Sequence, residues 1–186
     1  MEKLLSQISR IKDKELRELV ISVLNLVPET FWTKPASSTY KYHPPISNVE
    51  GGLVNHTKLL VKFASELLTL PENEELNAFS DEIYVACILH DCLKYGWDKN
   101  SNFTVAEHPN LAADLIMQTA LSNKYRNKTV LNRICNAVRS HTGKWNTDRN
   151  GNEILPTPMT RVEHFVHACD FLASRSWLNV EEERLD

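Results

Sequence analysis

A chain of 186 residues with 42% hydrophobic content can bury one sizeable core and is short for two. Five glycines, eight prolines and no low-complexity tract argue against a large disordered part, and no apolar run approaches the roughly 20 residues of a membrane span. A formal net charge of −3 and a pI of about 6.2 give no general attraction for a polyanion, so extended nucleic-acid binding is not expected, although a local cluster of cations would still hold a small phosphorylated ligand.

The first twenty residues are charged throughout and lack the apolar core of a signal peptide, so a cytoplasmic location is expected. Leu4, Leu5, Ile8 and Ile11, then Leu16, Leu19, Val20, Val23 and Leu24, predict two amphipathic helices broken near Lys12-Asp13-Lys14, with Asp13 as a cap. Residues 1–27 are expected to pack on a core formed by residues 28–186, as one structural domain overall, and a homodimer through these helices is open to the chain. Residues 28–50 carry Pro28, Pro35, Pro44 and Pro45 and read as a long connection, a kind of loop more often functional than accidental inside a compact domain. His43 in that loop is a candidate substrate contact, set against the plainer reading of an ordinary loop histidine.

Gly51 and Gly52 permit a tight turn before a helix carried by Leu53, Leu60, Phe63, Leu67 and Leu68. His56 lies on its inward face, where an imidazole needs a carbonyl or a metal as partner. Asp81 and Glu82 open the next helix, with Ile83, Ala86, Cys87, Leu89 and Leu93 at helical spacing, and the pair His90-Asp91 falls inside that run. Adjacent helical residues point about 100° apart, so His90 and Asp91 would straddle a cation lying against the helix. Lys94, three residues past Asp91, leans over the same side, its ammonium directed at whatever anion binds there. A core histidine beside an Asp91–Lys94 pair is the plainer alternative.

His108 opens a helix through Leu111, Ala112, Leu115 and Ile116, and His141 continues the apolar stripe of Val130, Ile134, Ala137 and Val138, with Arg139 in the same last turn. Residues 145–156, with Asn150-Gly151, read as a short β-hairpin or an extended loop. The last helix, through Val162, Phe165, Val166, Cys169, Leu172 and Ala173, places Asp170 inward, which is costly unless the carboxylate is paired or bound to a cation. His164 and His167 on this helix read as surface residues, His167 with the alternative of supporting a ligand one turn on. Cys87, Cys92, Cys135 and Cys169 form no CxxC pair and read as small core residues.

Four histidines (56, 90, 108, 141) and two aspartates (91, 170) thus fall on or at the ends of five helices at inward or terminal positions. Imidazole and carboxylate without thiolate suit manganese, iron, cobalt, nickel or zinc. This set resembles the HD-domain metal-dependent phosphohydrolase superfamily, named for its adjacent His-Asp pair. Gly51-Gly52-Leu53 before His56, Leu89-His90-Asp91 with Lys94, His141-Thr142-Gly143 with Trp145, and the stretch from Val166 to Asp170 with Ala173-Ser174-Arg175 all look like family segments. The resemblance implies an all-α helical bundle with a metal site in its core, holding one or two divalent transition metals. His56, His90, Asp91 and Asp170 would hold the first and His108 and His141, with a bridging Asp91, the second. It also implies hydrolysis of a phosphomonoester or phosphodiester in a nucleotide-sized substrate, with Asp91 and Lys94 as catalytic residues. His43, Arg139, Lys144, Trp145 and Arg175 are the substrate-binding candidates. The Gly-Tyr-Pro signature of the cyclic-dinucleotide branch is missing, since Lys94 is followed by Tyr95-Gly96-Trp97. The stretch from His43 to His56 resembles the loop of HD exoribonucleases but is longer and interrupted by prolines. A diiron oxygenase of the same superfamily and a non-catalytic nucleotide sensor are the competing readings.

Overall fold

The computed structural model describes residues 2–181, 184 and 185, and builds them into an all-α fold. Eight α-helices form among the described residues: α1 (Leu5–Ser9), α2 (Lys14–Leu24), α3 (Glu29–Thr33), α4 (Gly52–Leu67), α5 (Ser80–Leu89), α6 (His108–Ser122), α7 (Lys128–Ser140) and α8 (Arg161–Ala173). None is long and apolar enough to cross a membrane.

Helix α5 is the hub. It packs against α1, α2, α4, α7 and α8, and buries Ile83, Val85, Ala86, Cys87, Ile88 and Leu89 on all sides, as a helix without a solvated face must. Its one buried carboxylate, Glu82, is held bidentately by Arg133 of α7 at 2.6 and 2.8 Å. Leu4, Ile8, Leu16, Leu19, Val20 and Val23 of the N-terminal segment belong to the same continuous apolar core. Asp13 caps α2, accepting from the Leu16 amide at 3.0 Å. All four cysteines are free and buried.

The connection 28–50 is more structured than its prolines suggest. It contains α3 and a 3-10 turn, Pro45–Ser47, and it is latched to the start of α4 by Gly51 N–H to the Thr33 carbonyl and Leu53 N–H to the Lys34 carbonyl. Gly51 takes φ +72°, and a Cβ on Gly52 would lie 2.2 Å from the Ser47 carbonyl oxygen. The paired glycines are therefore what lets the turn lie against the helix that carries His56. At residues 145–156 the hairpin expectation reduces to one antiparallel bridge, Thr147 to Glu153, because Asp148 spends its carboxylate on the Asn150 and Asn152 amides and closes a tight loop before a ladder can extend.

One expectation fails in an informative way. The His90-Asp91 pair is not inside α5, which ends at Leu89. Beyond it the chain tightens into turns, with Cys92 N–H bonded to the Leu89 carbonyl, Lys94 to Asp91 and Gly96 to Leu93, the last residue of the run taking φ +69°. At that spacing residues i and i+3 eclipse, so Asp91 and Lys94 are stacked over each other rather than splayed along a helix.

Candidate metal centre

Three of the four histidines are oriented by one device. His90 Nδ1 donates to the Cys87 carbonyl (2.9 Å), His108 Nδ1 to the Val105 carbonyl (2.7 Å) and His141 Nδ1 to the Val138 carbonyl (2.7 Å). A carbonyl can only accept, so each Nδ1 carries a proton and, in the neutral ring, each Nε2 presents a bare lone pair. The Cys87 and Val138 carbonyls are among the last four of their helices, which lack intrahelical partners, so the helix ends supply the acceptors. His56 comes instead from the second turn of α4 and Asp170 from the third turn of α8, whose start is fixed by a reciprocal Thr160–Glu163 capping box.

These groups converge on Asp91, 1% exposed. Its Oδ2 lies 3.3 Å from His90 Nε2 and 3.8 Å from His56 Nε2, and its Oδ1 lies 2.8 Å from His108 Nε2 and 3.5 Å from His141 Nε2. One oxygen therefore faces each pair of imidazoles. Asp170, 20% exposed, adds Oδ1 at 3.0 Å from His56 Nε2 and 3.7 Å from His90 Nε2. The donor atoms of His56, His90 and Asp91 lie within 4.8 Å of one another, as do those of Asp91, His108 and His141. Lys94 Nζ closes on Asp91 Oδ2 at 2.5 Å.

The electrostatics say what such a cluster requires. Burial raises the cost of a charged Asp91, yet the charges of Lys94 and His90 hold its carboxyl well below the usual range. Asp170 is likewise lowered despite burial, chiefly by His56. Burial pushes His56 and His108 down, whereas at His90 it is outweighed by Asp91 and the pKa rises. A neutral His108 with its proton on Nδ1 turns a lone pair towards Asp91 Oδ1 at 2.8 Å, which is an acceptor against an acceptor. Both atoms are buried and lack hydrogen-bond partners, as does His56 Nδ1. Crowded bare donors of this kind are costly alone and suited to cations, so the residues fit one or two divalent metals of the kind that takes imidazole and carboxylate.

Above this floor opens a cleft of about 530 Å³. His108, His141, Asp170 and Lys94 line its base, and Trp145, His167, Phe171 and Arg175 line part of its wall. Another part comes from residues 36–43 and Thr104, tied together by Tyr95 donating to the Pro35 carbonyl (2.7 Å) and by the Ser38 and Thr104 hydroxyls (3.4 Å). His43 is in the lining with its ring edge-on to that of His56 (4.8 Å, 79°), and burial holds its pKa down to about 2.

The remaining candidates divide. Trp145 and Arg175 line the cleft, Lys144 stays at the rim with its ammonium 5.0 Å over the Trp145 ring, and Arg139 is off the cleft, paired to Asp114 at 2.9 Å. Arg139 is thus a correction: it is directed to the neighbouring α6 rather than into the cleft. His164 is exposed. His167, read as a surface residue, instead lines the cleft and donates from Nδ1 to the His141 carbonyl at 2.6 Å. Phe171 and the hydroxyl groups of residues 37–39 were also missed. A signal for the first two exists in the spacing, because His167, Phe171 and Arg175 recur every four residues on the face that carries Asp170.

Residues 53–175 match the HD domain family. The chain belongs to that family. The matched span contains the five residues of the two His/Asp clusters that could hold a metal, and Asp170 beside them, and HD domains are largely metal-dependent phosphohydrolases, so membership points to metal-dependent chemistry of the hydrolase type. No curated protein and no solved structure matches the chain.

Proposed function

We propose that this HD domain is a metal-dependent phosphohydrolase that cleaves a phosphomonoester or phosphodiester bond in a nucleotide or a small nucleotide-like substrate. The observation that carries the reading is Asp91, whose two oxygens face two separate sets of imidazoles directly beneath a cleft that also receives Lys94. His56, His90, Asp91 and Asp170 would hold one cation, and Asp91, His108 and His141 a second. What divalent cations supply in such a site is activation of a water and withdrawal of charge from a phosphoryl oxygen, which removes the need for a protein nucleophile.

The side chains do the rest. The carbonyl bonds to His90, His108 and His141 fix their tautomers and ring orientations in advance, so no ordering is required at the moment of reaction. Lys94 offers a cation at the cleft base to a phosphoryl group, and Arg175 offers another on the wall. The Arg175 Nε is anchored to the Phe171 carbonyl at 2.7 Å and its guanidinium lies 3.8 Å over the Phe171 ring, which leaves it no carboxylate partner among the described residues.

The test is elemental analysis of protein purified without a chelating tag, together with assays on a phosphomonoester, a generic phosphodiester and a nucleotide panel. About two metals per chain and hydrolysis abolished in Asp91→Ala and His108→Ala are expected. Bound metal with no hydrolysis of any of these substrates would overturn the reading.

A further inference from the structure

His167 is a cleft residue that neither the metal ligands nor Lys94 account for. Its Nδ1 is committed to the His141 carbonyl, so in the neutral ring Nε2 is an acceptor. Among the described residues Nε2 has no protein partner, and unlike His43 Nδ1 and His56 Nδ1 it is not among the buried polar atoms left unpaired, so it is open to the cleft. The ring lies directly on Gly143, which takes φ +60° and where a Cβ would fall 2.3 Å from His167 Cε1. A backbone acceptor and a glycine thus hold the imidazole in one orientation with one nitrogen exposed.

Beside it is a stacked aromatic pair, with the Lys144 ammonium 5.0 Å over the Trp145 ring and the Arg175 guanidinium 3.8 Å over the Phe171 ring. Trp145 and Phe171 lie nearly parallel, at 13° with centroids 5.9 Å apart, and their centroids are 6.3 and 6.5 Å from the His167 ring. Both rings are exposed and both line the cleft. Exposed rings of this kind gain from stacking with a planar ligand, and a fixed acceptor beside them selects for a donor on that ligand's edge.

We propose that Trp145, Phe171 and His167 form the subsite for the organic half of the substrate, a planar nitrogen heterocycle that stacks on Trp145 and donates an exocyclic amino hydrogen to His167 Nε2. His167 is then a specificity residue and Gly143 the position that seats it. The proposal rests on the phosphohydrolase reading for the other half of the substrate, with the phosphate over the metal floor.

The experiment is calorimetric titration of the metal-loaded protein with adenosine, purine riboside and ribose, alongside hydrolysis of adenosine 5′-phosphate and ribose 5-phosphate. Adenosine should bind about three- to tenfold more tightly than purine riboside, which lacks the amino group, and ribose should give no signal. Trp145→Ala should weaken both nucleosides about five- to a hundredfold. His167→Asn keeps an amide N–H for the His141 carbonyl but has no acceptor at the Nε2 position, its oxygen ending one bond short of it, so metal content should stay constant while the preference for adenosine disappears. A preference intact in His167→Asn, or a loss of metal or melting temperature in that variant with the preference intact, would overturn the subsite and leave His167 a structural group. The two readings fail separately. Nucleoside binding with this pattern but no phosphate-ester hydrolysis would support the subsite and sink the phosphohydrolase, whereas equal KM values for adenosine 5′-phosphate and ribose 5-phosphate would do the reverse.

Discussion

Lys94→Met separates the role of the ammonium in folding from its role at the phosphate. The substitution keeps the length of the side chain and deletes the charge 2.5 Å from Asp91 Oδ2, in a pair whose side chains are 12% and 1% exposed. Removing one partner of a buried pair leaves the other charge uncompensated and costs about 3–5 kcal/mol. For a chain of this size that is a fall in Tm of about 6–20 °C. This value applies to protein stripped with a chelator, in which Lys94 is the permanent positive charge nearest the carboxylate. With divalent cations held against both oxygens, the carboxylate is compensated without Lys94, and the loss should shrink to that of an exposed pair, about 1 kcal/mol or less. Thermal melts of both proteins with and without chelator read the difference directly. In the loaded state kcat should nevertheless fall about 10²- to 10³-fold, because the charge that meets the developing phosphoryl charge has gone. An equal loss of Tm in both states would show that Asp91 receives no compensation from metal, and an unchanged kcat would remove Lys94 from the phosphate.

Asp91→Asn should bind less metal than His108→Ala, since the amide has one oxygen and can serve only one of the two imidazole sets; two metals per chain in Asp91→Asn by elemental analysis would end the shared role. The metal-free fold should lose stability as pH falls. Burial holds His43 down to about 2, so it takes up a proton at about 6.5 in the unfolded chain but not in the folded one, and burial lowers His56 and His108 in the same direction. The His43 contribution is complete above about 6.5 and is lost on acidification at about 1.4 kcal/mol per pH unit, and those of His56 and His108 are lost in the same direction. His90, raised by Asp91, is protonated in both states below 6.5 and does not oppose this slope. Urea denaturation between pH 6 and 4 should show it, His43→Phe should flatten it by one group, and a slope unchanged in that variant would refute the assignment. Gly52→Ala would drive a Cβ into the Ser47 carbonyl and should cost about 1–3 kcal/mol, measured as a shift in the urea midpoint; a neutral result would mean that the 45–47 turn is free to move.

Much of this protein is legible in one dimension because its rules are local. Apolar spacing marks the helices, Asp13 marks a cap, and six histidines and aspartates stand out because an inward imidazole or carboxylate has no apolar excuse for being there. What local rules leave open is where a helix stops when no proline or glycine forces it. The end of α5 at Leu89 is set by tightened turns, and those turns decide that Lys94 meets Asp91 rather than solvent. The same limit misplaced Arg139, whose last-turn position fits either a bound phosphate or Asp114 on α6, and only the packing of α7 on α6 chooses between them. His167 was undervalued for a related reason: its partner is the backbone of a residue 26 positions away, and its seat is a glycine in another turn. The sequence by itself marked the histidines and aspartates that point inward and cluster. The division into two sets about Asp91 was implied by the family resemblance; only the tertiary structure decided which oxygen faces which pair of imidazoles and how closely, because that depends on ångström-scale distances between side chains from separate elements.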